Sequence, residues 1–206
     1  MEYKVLIGGV EYGVNSIASV TIERPLFPKF SAGNACAAEL DITFWPSEKV
    51  PRMAQIVPYC RESSEDDWTC LGTFYVDERA KEAFGRQTLI AYDSMLKADV
   101  VWEPDQSLVF PLKMPDAVVE IAALMGVDVD PRTVLNTSYT IDYPANEYTM
   151  RDVLEGIAVA NLGNWIITRE NKLLLVPLFG SMPEETHYLV TEDGSAITFG
   201  GVRILV

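Results

Sequence analysis

Histidine is nearly missing from this 206-residue sequence, cysteine is scarce, and positive charge is in short supply. One histidine, His187, and three irregularly spaced cysteines, Cys36, Cys60 and Cys70, supply neither a zinc ligand set nor the even count of a disulfide framework. The thiols read as small buried hydrophobes in a protein folded in a reducing cytoplasm, with Cys60 and Cys70 able to meet across neighbouring strands only by accident of position. Sixteen Lys and Arg stand against thirty Asp and Glu, a formal charge of −14. Nucleic-acid binders gather cations to displace counterions from phosphate, so this balance excludes that class. No stretch approaches the ~20 apolar residues of a membrane helix, and no membrane insertion is expected. The opening MEYKVLIGGVEYG lacks a basic leader, a long apolar core and a small-residue cleavage site. It is therefore expected to be a first strand and not a signal peptide.

What the chain does contain is alternation. The segment WTCLGTFYVDERAKEAFGRQTLIAYDSMLKA, residues 68–98, reads as a long β-hairpin running straight into a short helical turn. Leu71, Phe74 and Val76 mark one arm, and Leu89 and Ala91 help mark the other. Gly85 lies in a charged tip, residues 77–86, where a turn needs backbone freedom. Such a hairpin buries one face and projects its tip into water or onto a partner. Upstream, residues 3–7 and 16–22 read as a first hairpin around GGVEYGVN. Residues 39–45 alternate Leu40, Ile42 and Phe44 against Asp41 and Thr43. Residues 53–61 form a further strand in which Pro58, lacking an N–H, signals an edge or a bulge. The acidic SSEDD before Trp68 reads as a turn.

After Ala98 the period changes to helical. Met114-Pro115-Asp116 starts a helix with proline in its first turn, Val118, Val119, Ile121, Ala122 and Met125 give it an apolar face, and Gly126 ends it. Thr149 and Asp152 have capping-box spacing before Val153, Leu154, Ile157, Ala158 and Leu162, with Gly163 read as the stop. Strands at 165–168 and 172–176 follow, joined by Arg169-Glu170-Asn171. Beyond Phe179 the texture returns to β and the sequence halts inside the apolar run VRILV. This predicts either a shortened chain or a strand paired back onto the first unit.

Enzymatic signatures are sparse. His187 lies beside Glu184 and Glu185, a pairing that suits a general base, yet the setting PEETHYLV is that of a solvated loop. Glu65, Asp66 and Asp67 are too hydrophilic to give the raised pKa that a glycosidase acid requires. Neither they nor Asp128 and Asp130 match a twelve-residue calcium loop. No nucleophile elbow, phosphate loop or dinucleotide fingerprint occurs. Catalytic residues, cofactors and metals are thus all expected to be absent. Tyr59, Trp68, Tyr75, Tyr92 and Trp102 could line a sugar groove, but with Trp45, Phe74 and Trp165 they read as core and inter-subunit aromatics.

The stretches GTFYVDERAKEAFGRQTLIAYDSMLKAD and TMRDVLEGIAVANLGNWIITRENKLLLVPL resemble the tail-hub or distal tail proteins of siphophages and prophages. Those proteins are similar to the baseplate hub of contractile-tailed phages. The resemblance spans residues 20–178 and involves no catalytic motif. It implies a mainly β fold with an α+β part: a tail-tube-like β-barrel or sandwich over residues 1–98, a small α+β domain with two helices over 99–178, and a β segment over 179–206. That last segment would open a truncated second barrel. The implied role is structural, in a virion tail folded in the host bacterial cytoplasm. Copies of the chain, trimeric at full length, would surround a channel that DNA crosses unbound, and would dock to other tail proteins. Intermolecular contacts are expected from the hairpin, at Phe74, Glu78, Glu82 and Tyr92, and from residues 14–29, at Val20 and Ile22. The rival expectation is a tail-tip carbohydrate-binding or cell-wall-hydrolysing module.

Overall fold

The computed structural model describes residues 2–27, 31–81, 85–144, 147–179, 198–199 and 202–203. Alternation builds the first half. Strands β1 (Glu2–Ile7), β2 (Val10–Gly13), β3 (Ile17–Glu23), β4 (Glu39–Phe44), β5 (Gln55–Arg61), β6 (Thr69–Cys70), β7 (Phe74–Lys81) and β8 (Gln87–Asp93) form one antiparallel sheet. Its order is β2-β1-β5-β7-β8-β4-β3, with β6 attached to β5, and it curls into a nearly closed barrel. Every second residue faces inward. Val5, Leu40, Ile42, Phe44, Ile56, Phe74, Val76, Leu89 and Ala91 are all completely buried. Each large one is worth roughly 1.5–3 kcal/mol of burial. Tyr12 meets the Phe44 ring edge-on at 5.0 Å and spends its hydroxyl on Ser47 Oγ, 3.0 Å away.

Two readings of this half are corrected by the pairing. Gly8 and Gly9, at φ 57° and 87°, form a tight turn of the kind that closes two-residue hairpins. Strand β1 therefore folds back at once onto β2, and residues 17–23 pair with β4 instead. Pro58 lies on an interior strand, not an edge one, and faces a break in the ladder where the partner side carries one extra residue. It is buried inside β5 opposite Val5, and its carbonyl accepts from the Leu71 N–H at 2.9 Å. On that same side β7 pairs only with Gln55 and Ile56, and β6 only with Tyr59 and Cys60. The missing proline N–H faces the break between those two strands, where no ladder bond is lost. A second irregularity lies in the hairpin, between Val76 and Glu78. Asp77, the residue at that shift, pairs with Arg52 at 2.6 Å, and beyond it Arg79 donates to the Val50 carbonyl at 2.8 Å.

A 3-10 turn at Ser94–Ala98 leads into the second half. There β9 (Leu112–Lys113), α1 (Met114–Met125), β10 (Asp128–Val129), β11 (Thr140–Ile141), α2 (Met150–Ala160), β12 (Gly163–Ile167) and β13 (Lys172–Pro177) follow in order. β14 (Thr198–Phe199) and β15 (Val202–Arg203) form a separate short hairpin. α1 has proline in its first turn and ends on Gly126 at φ 70°; Val119, expected on its apolar face, is instead exposed, because the buried stripe is Ala117, Val118, Ile121, Ala122 and Met125. α2 carries the reciprocal Thr149–Asp152 capping box, typically worth about 1 kcal/mol. Both helices lay their apolar faces over the sheet β10-β13-β12 and a second core around Trp102, Trp165, Leu154 and Ile121. The Trp165 indole N–H is matched to the Leu154 carbonyl at 2.8 Å.

Gly163 is not the stop of α2. The helix ends at Ala160 and Asn161 caps it, so Leu162, expected on its apolar face, lies beyond it, exposed, and turns the chain at φ 52°. Gly163 instead opens β12, where an added Cβ would stand 2.8 Å from the Val176 carbonyl oxygen. The reason for glycine is close strand approach. Trp45 is likewise 45% exposed, so it belongs to the surface and not to the core. The strand alternation that places Phe44 inside ends with it, and Trp45 falls on the opposite face.

The two halves interlock through residues 31–38. Gly33 N–H donates to the Gly163 carbonyl, Trp165 N–H to Asn34, and Cys36 N–H to Trp165, each at 2.8 Å, so this stretch lines the free edge of β12. Asn164, fully buried, holds it there. Its Nδ2 donates to Leu26 O and Ser31 O, and its Oδ1 accepts from the Asn34 backbone N–H. A buried amide satisfied on both ends fixes one approach of the linker and no other.

Candidate assembly surfaces

An almost closed sheet leaves two edges. β2 and β3 are the outermost strands of the main sheet, and the space between β3 and the β1–β5 pair is an open groove of about 510 Å³. One wall carries Val14, Ile17, Val20 and Ile22, the other Tyr3, Pro58 and Leu71. Exposure is high where the groove opens, 46% at Tyr3 and 65% at Val14. An unpaired strand edge beside uncovered apolar side chains is a template for adding a strand. The groove is closed at one end, where Arg24, just past β3, donates to the Leu71 carbonyl. Its guanidinium rests 5.6 Å from the Phe74 ring centroid. It fits there because position 72 is glycine, at φ 126°, whose Cβ would stand 2.7 Å from Arg24 Nη2.

The residues expected to make contacts are scattered by the fold. Val20 and Ile22 are half-buried on the groove wall. Glu78 is exposed on the flank of the hairpin, while Glu82 lies outside the described residues. Phe74 is completely buried in the barrel core, so its side chain holds up the base of the hairpin and offers nothing to a neighbour. Tyr92 is half-buried opposite Glu39 in the ladder. Burial pushes its phenol pKa up, and the Glu39 carboxylate adds to that push.

The acidic stretches turn out to be self-contained. Asp66 accepts from both the backbone N–H and the hydroxyl of Ser63 at 2.8 Å, which holds its carboxyl below the usual range. Asp130 is occupied by a two-pronged contact with Arg132, Nε and Nη2 each at 2.8 Å, and its pKa is lowered by it. Among the described residues no group of three or more His, Cys, Asp or Glu is placed to hold a metal ion. His187 lies outside them. Cys60 and Cys70 sit on paired strands but one register apart, opposite Thr69 and Tyr59, and both are free thiols. The aromatics do not converge on one groove. Trp102 is core, Tyr75 lies under Lys97 at 4.1 Å, and Trp68 is flanked by Lys4 at 4.8 Å and Arg61 at 4.5 Å.

Two residues that the sequence expectations do not single out hold the junction. Asp93 ends β8 and caps the 3-10 turn. Its two oxygens accept from Ala38 N–H at 2.8 Å and Met95 N–H at 3.0 Å. Burial pushes its carboxyl up to about 6, against the pull of those bonds and of Arg24 and Arg151. Arg151, in the first turn of α2, forks to Asp99 and also donates to Ala35 O at 2.6 Å and Met95 O at 3.0 Å. Arg24 bonds within the barrel half and reaches Asp93 only through its charge. The Asp93-Ser94 pair after a strand was a readable cap signal; the two arginines had no local mark.

No family model matches this sequence, and a search among curated proteins finds no match. Solved structures do share the fold. The 43 kDa tail protein of prophage MuSo2 from Shewanella oneidensis superposes with a TM-score of 0.60 at 12% identity, over 85% of this chain and 54% of that one. The tail protein from Neisseria meningitidis MC58 gives 0.59 at 15% identity, over 85% of this chain and 51% of that one. The chain thus has the fold of these tail proteins and spans about half their length.

Proposed function

We propose that this chain is a structural component of a phage or prophage tail, the barrel-bearing part of a baseplate or tail-tip hub. The observation that carries the reading is the barrel with two open edges and an apolar groove beside one of them, β3, in a fold shared with two tail proteins. Edge β3 of one copy meeting edge β2 of the next is a heterologous contact, and repeated heterologous contacts close into rings. In this reading residues 1–98 are the tube-like module, 99–178 its buttress, and 179–206 the approach to a second barrel. The full-length protein is a trimer that docks to the tail tube. A formal charge of −14 suits the wall of a channel that DNA crosses without sticking, provided the acids lie within about 8 Å of its path. The work is docking and alignment in the virion tail, with no bond made or broken, after folding in the host cytoplasm.

The test is to place Val20→Lys with Ile22→Lys in the phage genome and count tailed particles by electron microscopy. Two ammonium groups on the groove wall cannot be buried unpaired, so tailed particles should fall at least about tenfold, the equivalent of about 1.4 kcal/mol per contact. The purified variant should melt within a few degrees of wild type, because both positions are only half-buried. Normal tails would defeat the edge-joining scheme. Clearing of cell-wall glycan by the purified wild-type chain would favour the hydrolytic rival instead.

A further inference from the structure

Where the barrel meets the α+β unit there is a second cleft, of about 340 Å³, with Arg24, Arg132 and Arg169 and one acid, Asp93, on its walls and Leu26, Ile167 and Leu174 beneath them. Three arginines in one cleft are unusual for a chain that has only sixteen cations against thirty anions. Arg132 is already matched by Asp130. Arg24 and Arg169 have no carboxylate within ion-pair distance among the described residues.

The nearby anions already accept hydrogen bonds from other donors, and they reach Arg24 through charge alone. Asp93 points its oxygens at the Ala38 and Met95 N–H groups. Glu170 is bound to its own backbone N–H and to Thr168, which lowers its pKa. Arg24 is exposed, yet burial of part of its side chain lowers its pKa; the Asp93 carboxylate opposes that shift, the Arg169 charge adds to it, and Glu170 opposes it more weakly. The first guanidinium is therefore pre-aimed, because Leu71 O, the Phe74 ring and the gap at Gly72 hold it still. Pre-organised forks of this kind match carboxylates in a two-pronged way.

We propose that this cleft receives a carboxylate side chain from an acidic, partly apolar segment of a neighbouring protein, bound between Arg24 and Arg169 with its apolar flank on Leu26, Ile167 and Leu174. A single carboxylate on such a segment fits the small apolar floor. A nucleic-acid backbone does not, and the overall charge of the chain repels a polyanion. The identity of the neighbour as a tail protein rests on the proposed function; the site itself does not.

The probe is the peptide acetyl-Leu-Glu-Leu-Glu-amide, titrated into the isotopically labelled full chain and followed by backbone amide shifts. Saturable shifts are expected at Leu26, Ile167 and Leu174. The Gln-for-Glu peptide should bind about tenfold more weakly, as loss of a charge-assisted pair implies. Arg169→Gln should weaken binding by a similar factor, and this exposed position lies outside both cores, so the variant folds. Arg24→Lys tests the fork without removing the charge and should weaken binding less than Arg169→Gln does. Equal binding of the two peptides, no effect of Arg169→Gln, an absence of shifts, or equal competition by inorganic phosphate at the same amides would each overturn the proposal. None of these outcomes touches tail assembly, which the particle count reads independently.

Discussion

Arg151→Ala is expected to lower unfolding free energy by about 3 kcal/mol, read as a shift of the urea midpoint with an unchanged slope. The size comes from what the guanidinium does at once. It accompanies the first turn of α2, yet its donors reach Ala35 O in the linker, Met95 O in the 3-10 turn, and both oxygens of Asp99. The ion pair supplies the smaller part, because Asp99 is about half exposed and exposed pairs contribute at most ~1 kcal/mol. The two carbonyls are the larger part: cut off from their donor beside a packed core, they are left without a hydrogen bond. Arg151→Lys should recover less than half of the loss, since one ammonium cannot span the linker, the turn and Asp99 together.

The second large effect is on pH. The Asp93 carboxyl titrates at about 6 in the folded chain against 3.8 for the unfolded group. A raised carboxylate pKa means the folded state holds a proton that the unfolded state has already released. Stability should therefore rise as pH falls through 6, with the gain complete below the unfolded value. Between pH 7 and pH 5 the gain at this one site is about 1 kcal/mol. Asp66, Asp105, Asp130, Asp152 and Glu170 have lowered pKa values and act in the opposite sense. Their contribution stands above their unfolded values and is lost only at more acid pH, so the pH 5–7 window is clear of them. Asp93→Asn removes the titration while keeping the shape. The difference between wild type and variant, measured by urea unfolding at pH 5, 6 and 7, should widen in favour of wild type as pH falls. A constant difference would show that Asp93 does not carry the buried charge.

How far these effects could be read from sequence depends on how local their causes are. Leu40, Ile42 and Phe44 announce a strand because alternation needs only neighbours, and Thr149 with Asp152 announces a helix start for the same reason. Pro115 and Gly126 likewise bracket α1. Pairing is another matter. The expected partner for residues 16–22 was the nearest strand, whereas the Gly8-Gly9 turn hands β1 to β2 and leaves β3 to find β4 across the chain. Gly163 looked like a helix stop because glycine often is one; its actual constraint, the Val176 carbonyl, is contributed by the next strand.

The candidate surfaces follow the same division. Val20 and Ile22 were legible as apolar positions on a strand, and they do line an open groove. Phe74 carried the same signal and is buried, since periodicity distinguishes two faces of a strand without saying which one meets solvent. Arg24, Asp93, Arg151 and Arg169 are separated by tens of residues and gather only when the barrel and the α+β unit dock. Nothing in their immediate neighbours marks Arg24 or Arg151 as special. Their role is a property of the junction.

The reading as a tail component meets its most direct test in immunogold electron microscopy of particles from cells that carry this sequence in a prophage. Antibody against residues 2–179 should decorate the tail, concentrated at the end that holds the tip. Gold confined to capsids, or present in lysate and absent from every intact particle, would contradict it.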